Sequence, residues 1–166
     1  MGITVDVSQL KAFSNRIKAL STTQKVQFFD QAIKGMAGRY LALVIPATPV
    51  GKSTSGTDGT THEGGTLRRG WTGGVDGSAS SVVDGLSASP TIGGYSVTIT
   101  NSVEYASYVE NGHRQTPGRY APAIGKRLVK SWVPGQFFVK TSEEALETQA
   151  PIILNAMLDT FIRRVF

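Results

Sequence analysis

Apolar side chains recur at helical spacing along the N-terminal part of the sequence, in two series. The first series consists of Leu10, Phe13, Ile17 and Leu20. Its gaps of three and four residues predict a short helix over residues 8–20. The second series consists of Val26, Phe29, Ile33, Met36, Tyr40 and Val44. It predicts a helix from Thr23 to Ile45, capped by Thr22 or Thr23 and ended by Pro46, because residues before proline avoid helical backbone angles.

The middle of the chain carries the alternation of apolar and polar residues that is typical of strands. The clearest example is Tyr95–Asn101, which predicts a strand with one buried face. Weaker patterns predict strands at Leu67–Val75 and Gln136–Lys140, and a strand or loop at Ser78–Leu86. The pattern at Tyr105–Glu110 fits either a short helix or a further strand.

A last helix is predicted after Thr141 and Glu144, which form a capping-box pattern. Its apolar positions are Ala150, Ile153, Leu154, Met157, Leu158, Phe161, Ile162 and Val165. This stripe is wider than one packed helix face needs, so it predicts contacts on two sides of the helix. Pro151 lies within the helix and is expected to kink it.

These elements predict an α+β fold in which a mostly antiparallel β-sheet packs against N-terminal helices and a long C-terminal helix, with long loops rich in Gly, Ser and Thr. The length of 166 residues fits a single domain, residues 1–166. Residues 51–65 contain no apolar side chain, so 51–66 are expected to form a flexible inserted loop. Two aromatic residues, Tyr105 and Trp132, are predicted to belong to the core, because large aromatic side chains are most often buried.

The net charge of +5 is unevenly distributed, since residues 111–142 contain six basic residues and no acidic one. A positive field of this kind attracts nucleic acid or an acidic protein surface, and a solvated loop explains it equally well. The candidate residues for contact with DNA or a partner are Arg114, Arg119, Lys126, Arg127 and Lys130.

Several kinds of chemistry are not predicted. The sequence has no cysteine, which excludes disulfides and thiol catalysis. Gly51-Lys52-Ser53-Thr54 resembles the end of a phosphate-binding loop, but position 46 is Pro where that motif requires Gly. His62 and His113 are the two histidines, and neither has a nucleophile or metal-ligand partner at a recognisable spacing. We therefore expect no enzyme activity, cofactor, metal, signal peptide or membrane segment.

Two ordered blocks of sequence resemble a known family. The first contains Thr48-Pro49-Val50 and Leu67-Arg68-Arg69-Gly70-Trp71, and the second runs from Val103 to His113 and is followed by Trp132–Phe138. Together they are similar to the small neck and tail-completion proteins of long-tailed bacteriophages, in which a T-P-V-D-T-G-x-L-R-x-S-W block precedes a Y-A-x-Y-V-E-x-G block. The similarity covers roughly residues 22–164. This chain has Gly51 in place of the family's Asp, and a longer connection after it.

The resemblance implies a structural virion protein that forms a ring of six or twelve copies at the neck, where the tail joins the DNA-filled head. It implies neighbouring neck, portal-side and tail-tube or tail-terminator proteins as partners. DNA passing through the ring is a further contact, and a small basic nucleic-acid-binding module is the alternative function. The candidate residues for contacts between copies are Leu67, Trp71, Ile153, Met157, Phe161 and Val165.

Overall fold

The computed structural model describes residues 21–55, 61–72, 79–92, 94–122 and 125–165, so the helix predicted over residues 8–20 lies outside the described part. Two long helices, α1 (Thr22–Ala47) and α5 (Phe138–Val165), pack along each other. Short helices and antiparallel strand pairs join them. The predicted α+β fold with a long C-terminal helix is confirmed.

The boundaries of α1 follow from hydrogen bonds at its two ends. The Ser21 hydroxyl accepts a bond from the Gln24 backbone N–H, and the Gln24 side chain accepts one from the Ser21 N–H. The cap is therefore Ser21, and the prediction of Thr22 or Thr23 was wrong by one or two residues. Pro46 lies in the last turn and the helix ends one residue after it. Proline has no N–H to donate, and the Pro46 carbonyl accepts a bond from the Arg68 guanidinium (3.2 Å).

The chain between the long helices forms more helical turns than the alternation of residues predicted. Helix α2 (Thr66–Arg69) continues into a 3₁₀ turn (Gly70–Thr72), and helix α3 covers Ala79–Gly85. The strand predicted at Leu67–Val75 was therefore wrong over its described residues, as was the strand or loop at Ser78–Leu86. Leu67 and Trp71 are four residues apart, so a helical turn lets both side chains enter the core.

The strands described form separate antiparallel pairs rather than one continuous sheet. The pairs are β1 (Thr54–Ser55) with β2 (Thr61–His62), β3 (Ser89–Thr91) with β4 (Gly94–Ser96), β5 (Gly112–Arg114) with β8 (Trp132–Pro134), and β6 (Tyr120–Ala121) with β7 (Lys126–Arg127). The first pair lies within the loop predicted to be flexible, whose mobility stays a prediction. Of the strand predicted at Tyr95–Asn101, only Tyr95 and Ser96 are paired. Helix α4 (Ala106–Asn111) settles the open choice at Tyr105–Glu110.

The core lies where the end of α1, the α2 turn and the start of α5 meet. Its buried members are Leu41, Val44, Leu67, Trp71 and Phe138. Thr48 is fully buried among them: its hydroxyl donates to the Val44 carbonyl (2.6 Å) and accepts from the Trp71 indole N–H (2.8 Å). The core thus brings together the two parts of the first sequence block.

Two aromatic residues that were predicted to be buried are not. Tyr105 is 44% exposed and Trp132 is 49% exposed. Trp132 belongs to β8, which pairs with one other strand only and so leaves much of its side chain uncovered. The core prediction for both residues was wrong.

We predict that Thr48→Val lowers the free energy of unfolding by about 1–3 kcal/mol, because it leaves the buried Trp71 N–H without an acceptor. Urea unfolding would measure the change. The matched control is Thr100→Val, which alters an exposed threonine. In the double variant Thr48→Val, Trp71→Phe the two changes should not be additive, and simple additivity would contradict the proposed coupling.

Candidate interaction surfaces

Residues 112–122 and 125–134 form a two-stranded ribbon, which we call the basic arm. Its inner half is the β5–β8 pair and its outer half is the β6–β7 pair. Backbone bonds from Gln115 N–H to the Ser131 carbonyl (2.9 Å) and from Gly118 N–H to the Leu128 carbonyl (2.8 Å) continue the ladder between them. The ribbon joins α4 to α5 and contains no acidic residue.

A turn and a bulge divide the basic arm in two. The Arg119 N–H bonds to the Thr116 carbonyl, with Pro117 and Gly118 at the centre of the turn. Gly118 has a φ of 85°, and both Gly118 and Arg119 bond to Leu128 on the opposite strand. Gly118 and Arg119 thus lie opposite the single residue Leu128, and the first of the two is a glycine with left-handed backbone angles. This arrangement is a G1 bulge, which increases the local twist of the strands. The pairing therefore shifts by one residue between the two halves.

The pairing of the two strands places basic side chains of the arm on shared faces of the ribbon. Arg114 lies directly opposite Trp132, and directly opposed residues project from the same face of a ribbon. Lys130 shares that face by the two-residue alternation of a strand. In the outer half, Arg119 similarly shares a face with Lys126, which is paired with Ala121.

The five predicted contact residues therefore all lie on one exposed ribbon. The Arg127 guanidinium donates to the Gly118 carbonyl (2.7 Å), which holds this side chain against the bulge. The three ion pairs among the described residues involve none of the five. Their charge is consequently available to a partner.

The base of the arm is fixed to the start of α5 by Glu110. One carboxylate oxygen accepts from the Val139 N–H (2.9 Å) and the other from the Lys140 N–H (3.1 Å). A negatively charged carboxylate at this end also interacts favourably with the positive end of the helix dipole. The capping box predicted at Thr141 and Glu144 was wrong, since α5 begins at Phe138 and includes both residues. The strand predicted at Gln136–Lys140 was wrong for the same reason.

Close backbone approach at the arm's base requires glycine. A Cβ atom on Gly135 would lie 2.2 Å from the Glu110 carbonyl oxygen, and one on Gly112 would lie 2.5 Å from that of Val133. Gly112 also has a φ of 82°, which disfavours other residues. Backbone bonds from Gln136 to Val109 and from Phe137 to Glu110 complete the joint. The arm therefore leaves the body of the protein in a defined direction.

The outer side of α5 presents an apolar groove of about 490 Å³. It is lined by Gln31, Ile152, Ile153, Ala156, Met157, Thr160, Phe161 and Arg164. Ile152 is 75% exposed, although the sequence analysis did not include it in the stripe. Ile153, Met157 and Val165 are half-buried, and Phe161 is buried with its ring 5.1 Å from that of Phe28.

The other two predicted interface residues lie elsewhere. Leu67 and Trp71 fill the core of the same subunit and are 5% and 6% exposed. The structure therefore does not bring all six predicted interface residues together. It groups Ile153, Met157 and Phe161 around the outer groove, whose lining does not include Val165.

A second groove, of about 430 Å³, lies between α1, α5 and the segment after β4. Its lining includes Ile33, Met36, Tyr40, Tyr95, Ile99 and Glu143. Burial raises the pKa of the Tyr40 hydroxyl to about 12, and the nearby Glu143 and Glu110 carboxylates add to the effect. Removal of the Tyr40 proton is thus opposed both by loss of water and by negative charge.

Catalytic and metal-binding arrangements do not emerge from the described residues. No group of three or more His, Asp or Glu residues in that part of the chain could hold a metal ion. His113 packs beside Tyr108 with ring centroids 5.7 Å apart, and its Nε2 lies 3.3 Å from the Gln115 amide nitrogen. No helix within the described ranges is long and apolar enough to cross a membrane.

We predict that Glu110→Ala lowers the free energy of unfolding by about 0.5–2 kcal/mol, the usual cost of losing a helix cap. Amide hydrogen exchange at Val139 and Lys140 should also become faster. Glu104→Ala is the matched control, because Glu104 is an exposed glutamate that lies two residues before the same short helix begins. Equal stability of the two variants would contradict the capping role.

We also predict that one of the five tyrosines ionises near pH 12 and that Tyr40→Phe removes this late step from the ultraviolet absorbance titration. A raised pKa in the folded state means that the stability due to neutral Tyr40 is complete below pH 10 and is lost as the pH rises towards 12. Tyr40→Phe should therefore be less sensitive to alkali than the parent protein. A Tyr40→Phe variant with an unchanged titration would contradict the assignment.

Comparison with protein families matches residues 11–112 to the HK97-gp10-like family, described as "Bacteriophage HK97-gp10, putative tail-component". Neither the comparison with curated proteins nor that with solved structures gives a match. The matched region covers more than half of the chain and ends at Gly112, where the basic arm begins. It supports a structural tail component of the virion. The chain therefore belongs to the HK97-gp10-like family of bacteriophage tail components.

Proposed function

We propose that this tail component assembles into a closed ring at the neck of a long-tailed phage, where it joins or completes the tail at the DNA-filled head. Its neighbours there are portal-side neck proteins and tail-tube or tail-terminator proteins. Family membership supports a structural role in the tail. The resemblance in the two sequence blocks implies the station at the neck and a ring of six or twelve copies.

The observation that carries this proposal is the apolar outer side of α5. Ile152 is 75% exposed beside the groove that contains Ile153 and Met157. A contiguous apolar surface of this kind is costly in water and marks an interaction site more often than a free surface. A neighbouring subunit or ring protein would remove it from water.

A ring also requires each copy to present two different surfaces that fit each other, since a head-to-tail contact must repeat until it closes. The basic arm is a candidate for this repeated contact, and the groove on α5 is a candidate for contact with a neighbouring ring protein. They differ in chemistry, because the groove is mostly apolar and the arm is strongly positive. The positive arm would repel the same surface of a second copy, which favours a head-to-tail contact over a symmetric pair through the arm.

The basic arm also favours a second candidate function, a small nucleic-acid-binding module. Arg114, Arg119, Lys126, Arg127 and Lys130 would contact phosphates without reading sequence, and such binding weakens as salt increases. Within a ring, the same residues would face DNA as it passes from head to tail. The exposed charge of the arm supports this role.

The ring proposal predicts that Ile152→Arg blocks joining of heads and tails, because a buried unpaired charge would replace an apolar contact. Complementation of a phage that lacks the protein would then yield DNA-filled heads and separate tails by electron microscopy, with a large loss of infectious titre. Ser87→Arg, at an exposed loop position, is the control for the added charge. Because Ile152 is exposed in the subunit, the variant should fold normally, and a normal titre would refute the proposal.

A further inference from the structure

An unpaired strand edge follows β4. Side-chain burial alternates strictly from Tyr95 to Thr100, with Val97 and Ile99 half-buried and Thr98 and Thr100 exposed. This is the pattern of a strand with one face on the core. Among the described residues, however, the segment Val97–Thr100 makes no backbone hydrogen bond with another strand. Its backbone groups are therefore open to a strand from outside the subunit.

The groove beside this edge combines apolar walls with negative charge. Its lining includes Ile33, Met36 and Ile99, and Glu143 is the one charged residue in it. Two further carboxylates, Glu144 and Glu147, are exposed on the same part of α5. A strand that fits this site needs apolar side chains towards the groove and basic side chains at its acidic rim.

The basic arm has this combination of side chains. Val129 is 86% exposed, and Tyr120 and Trp132 are 47% and 49% exposed. Binding to phosphates accounts for the cations of the arm but not for an exposed valine and two exposed aromatic residues. Trp, Tyr and Arg together are typical of the residues that dominate protein–protein contacts. These observations favour a protein partner with an acidic, apolar surface.

A second copy of the chain is the partner that the structure offers. Glu110, Gly112 and Gly135 fix the base of the arm to α4 and α5, so its direction is set within its own subunit. No hydrogen bond among the described residues links the arm to Val97–Thr100 of the same chain. The positive arm and the acid-rimmed edge are two different, complementary surfaces, as a head-to-tail contact requires.

We propose that the basic arm of one copy adds as a strand alongside Val97–Thr100 of the next copy, over the groove lined by Ile33, Met36 and Glu143. Main-chain hydrogen bonds supply the pairing, as in other cases of β-strand addition. The attraction between the arm's cations and the carboxylates of α5 sets the orientation. This inference rests on the proposed ring and specifies the contact that closes it.

Disulfide trapping can test the contact without background, because the chain has no cysteine. Thr98→Cys and Val129→Cys each alter an exposed residue, on the edge and on the arm respectively. Phage particles assembled from the double variant should give a ladder of cross-linked multimers on mild oxidation. Particles assembled with either single variant should give no cross-link, because the contact joins position 98 of one copy to position 129 of another.

A second pair of variants tests the charges. Arg119→Glu with Lys126→Glu should abolish the cross-link and the joining of heads to tails, and the added changes Glu143→Lys and Glu144→Lys should restore both. The matched control is Lys25→Glu with Arg163→Glu, which alters net charge equally at exposed positions outside the arm and both grooves and should leave the cross-link intact. Failure of the carboxylate changes to restore the cross-link would overturn the proposed orientation.

The outcomes separate this inference from the ring itself. The reference is a subunit cross-link formed by an amine-reactive reagent in the same particles. If that cross-link forms and the Thr98–Val129 disulfide does not, the arm contact is refuted and the ring stands. If particles form and neither cross-link appears, the ring proposal fails as well. Salt-sensitive retention of double-stranded DNA that depends on Arg119 and Lys126, without the disulfide, would assign the arm to nucleic acid.

Discussion

The buried hydrogen bond between the Trp71 indole and the Thr48 hydroxyl is the interaction on which the architecture depends. It ties the end of α1 to the short α2 turn, and Arg68 adds bonds to the Thr48 carbonyl. Phe138, the first residue of α5, packs into the same cluster. The position of the long C-terminal helix is thereby set by a contact made at its first turn, and the arm that precedes it is set at the same place.

The two ends of α5 make different kinds of contact. Its first turn is occupied by core packing and by the Glu110 carboxylate, whereas its C-terminal half carries Ile152 and the open groove. The other side of this C-terminal half packs on α1, where Phe161 and Ile162 are buried, so α5 can leave Ile152 exposed without losing its position. The exposed surface is therefore compatible with a stable subunit before assembly.

The helix with periodic apolar spacing could be predicted from the sequence. Features that depend on residues far away in the chain could not. The helical spacing from Val26 to Val44 correctly located α1. The Pro-Gly pair at 117–118 is a turn signal that could have located the bend of the arm, but no turn was predicted there. The cap of α5 could not be found, because Glu110 is 29 residues from Val139 and looks like any surface glutamate. Trp132 was assigned to the core on residue type alone, and nothing in its local sequence shows that its strand has a single neighbour.

The one-residue shift at the Gly118 bulge has a consequence for how the arm can change in length. Successive side chains of a strand point to opposite sides, so losing or gaining one residue beyond the bulge would turn the outer half over and exchange the face of Lys126 with that of Arg127. Adding or removing two residues would preserve both faces. The ribbons of related proteins are therefore expected to differ in length by even numbers of residues. A difference of an odd number of residues should be accompanied by loss of the bulge.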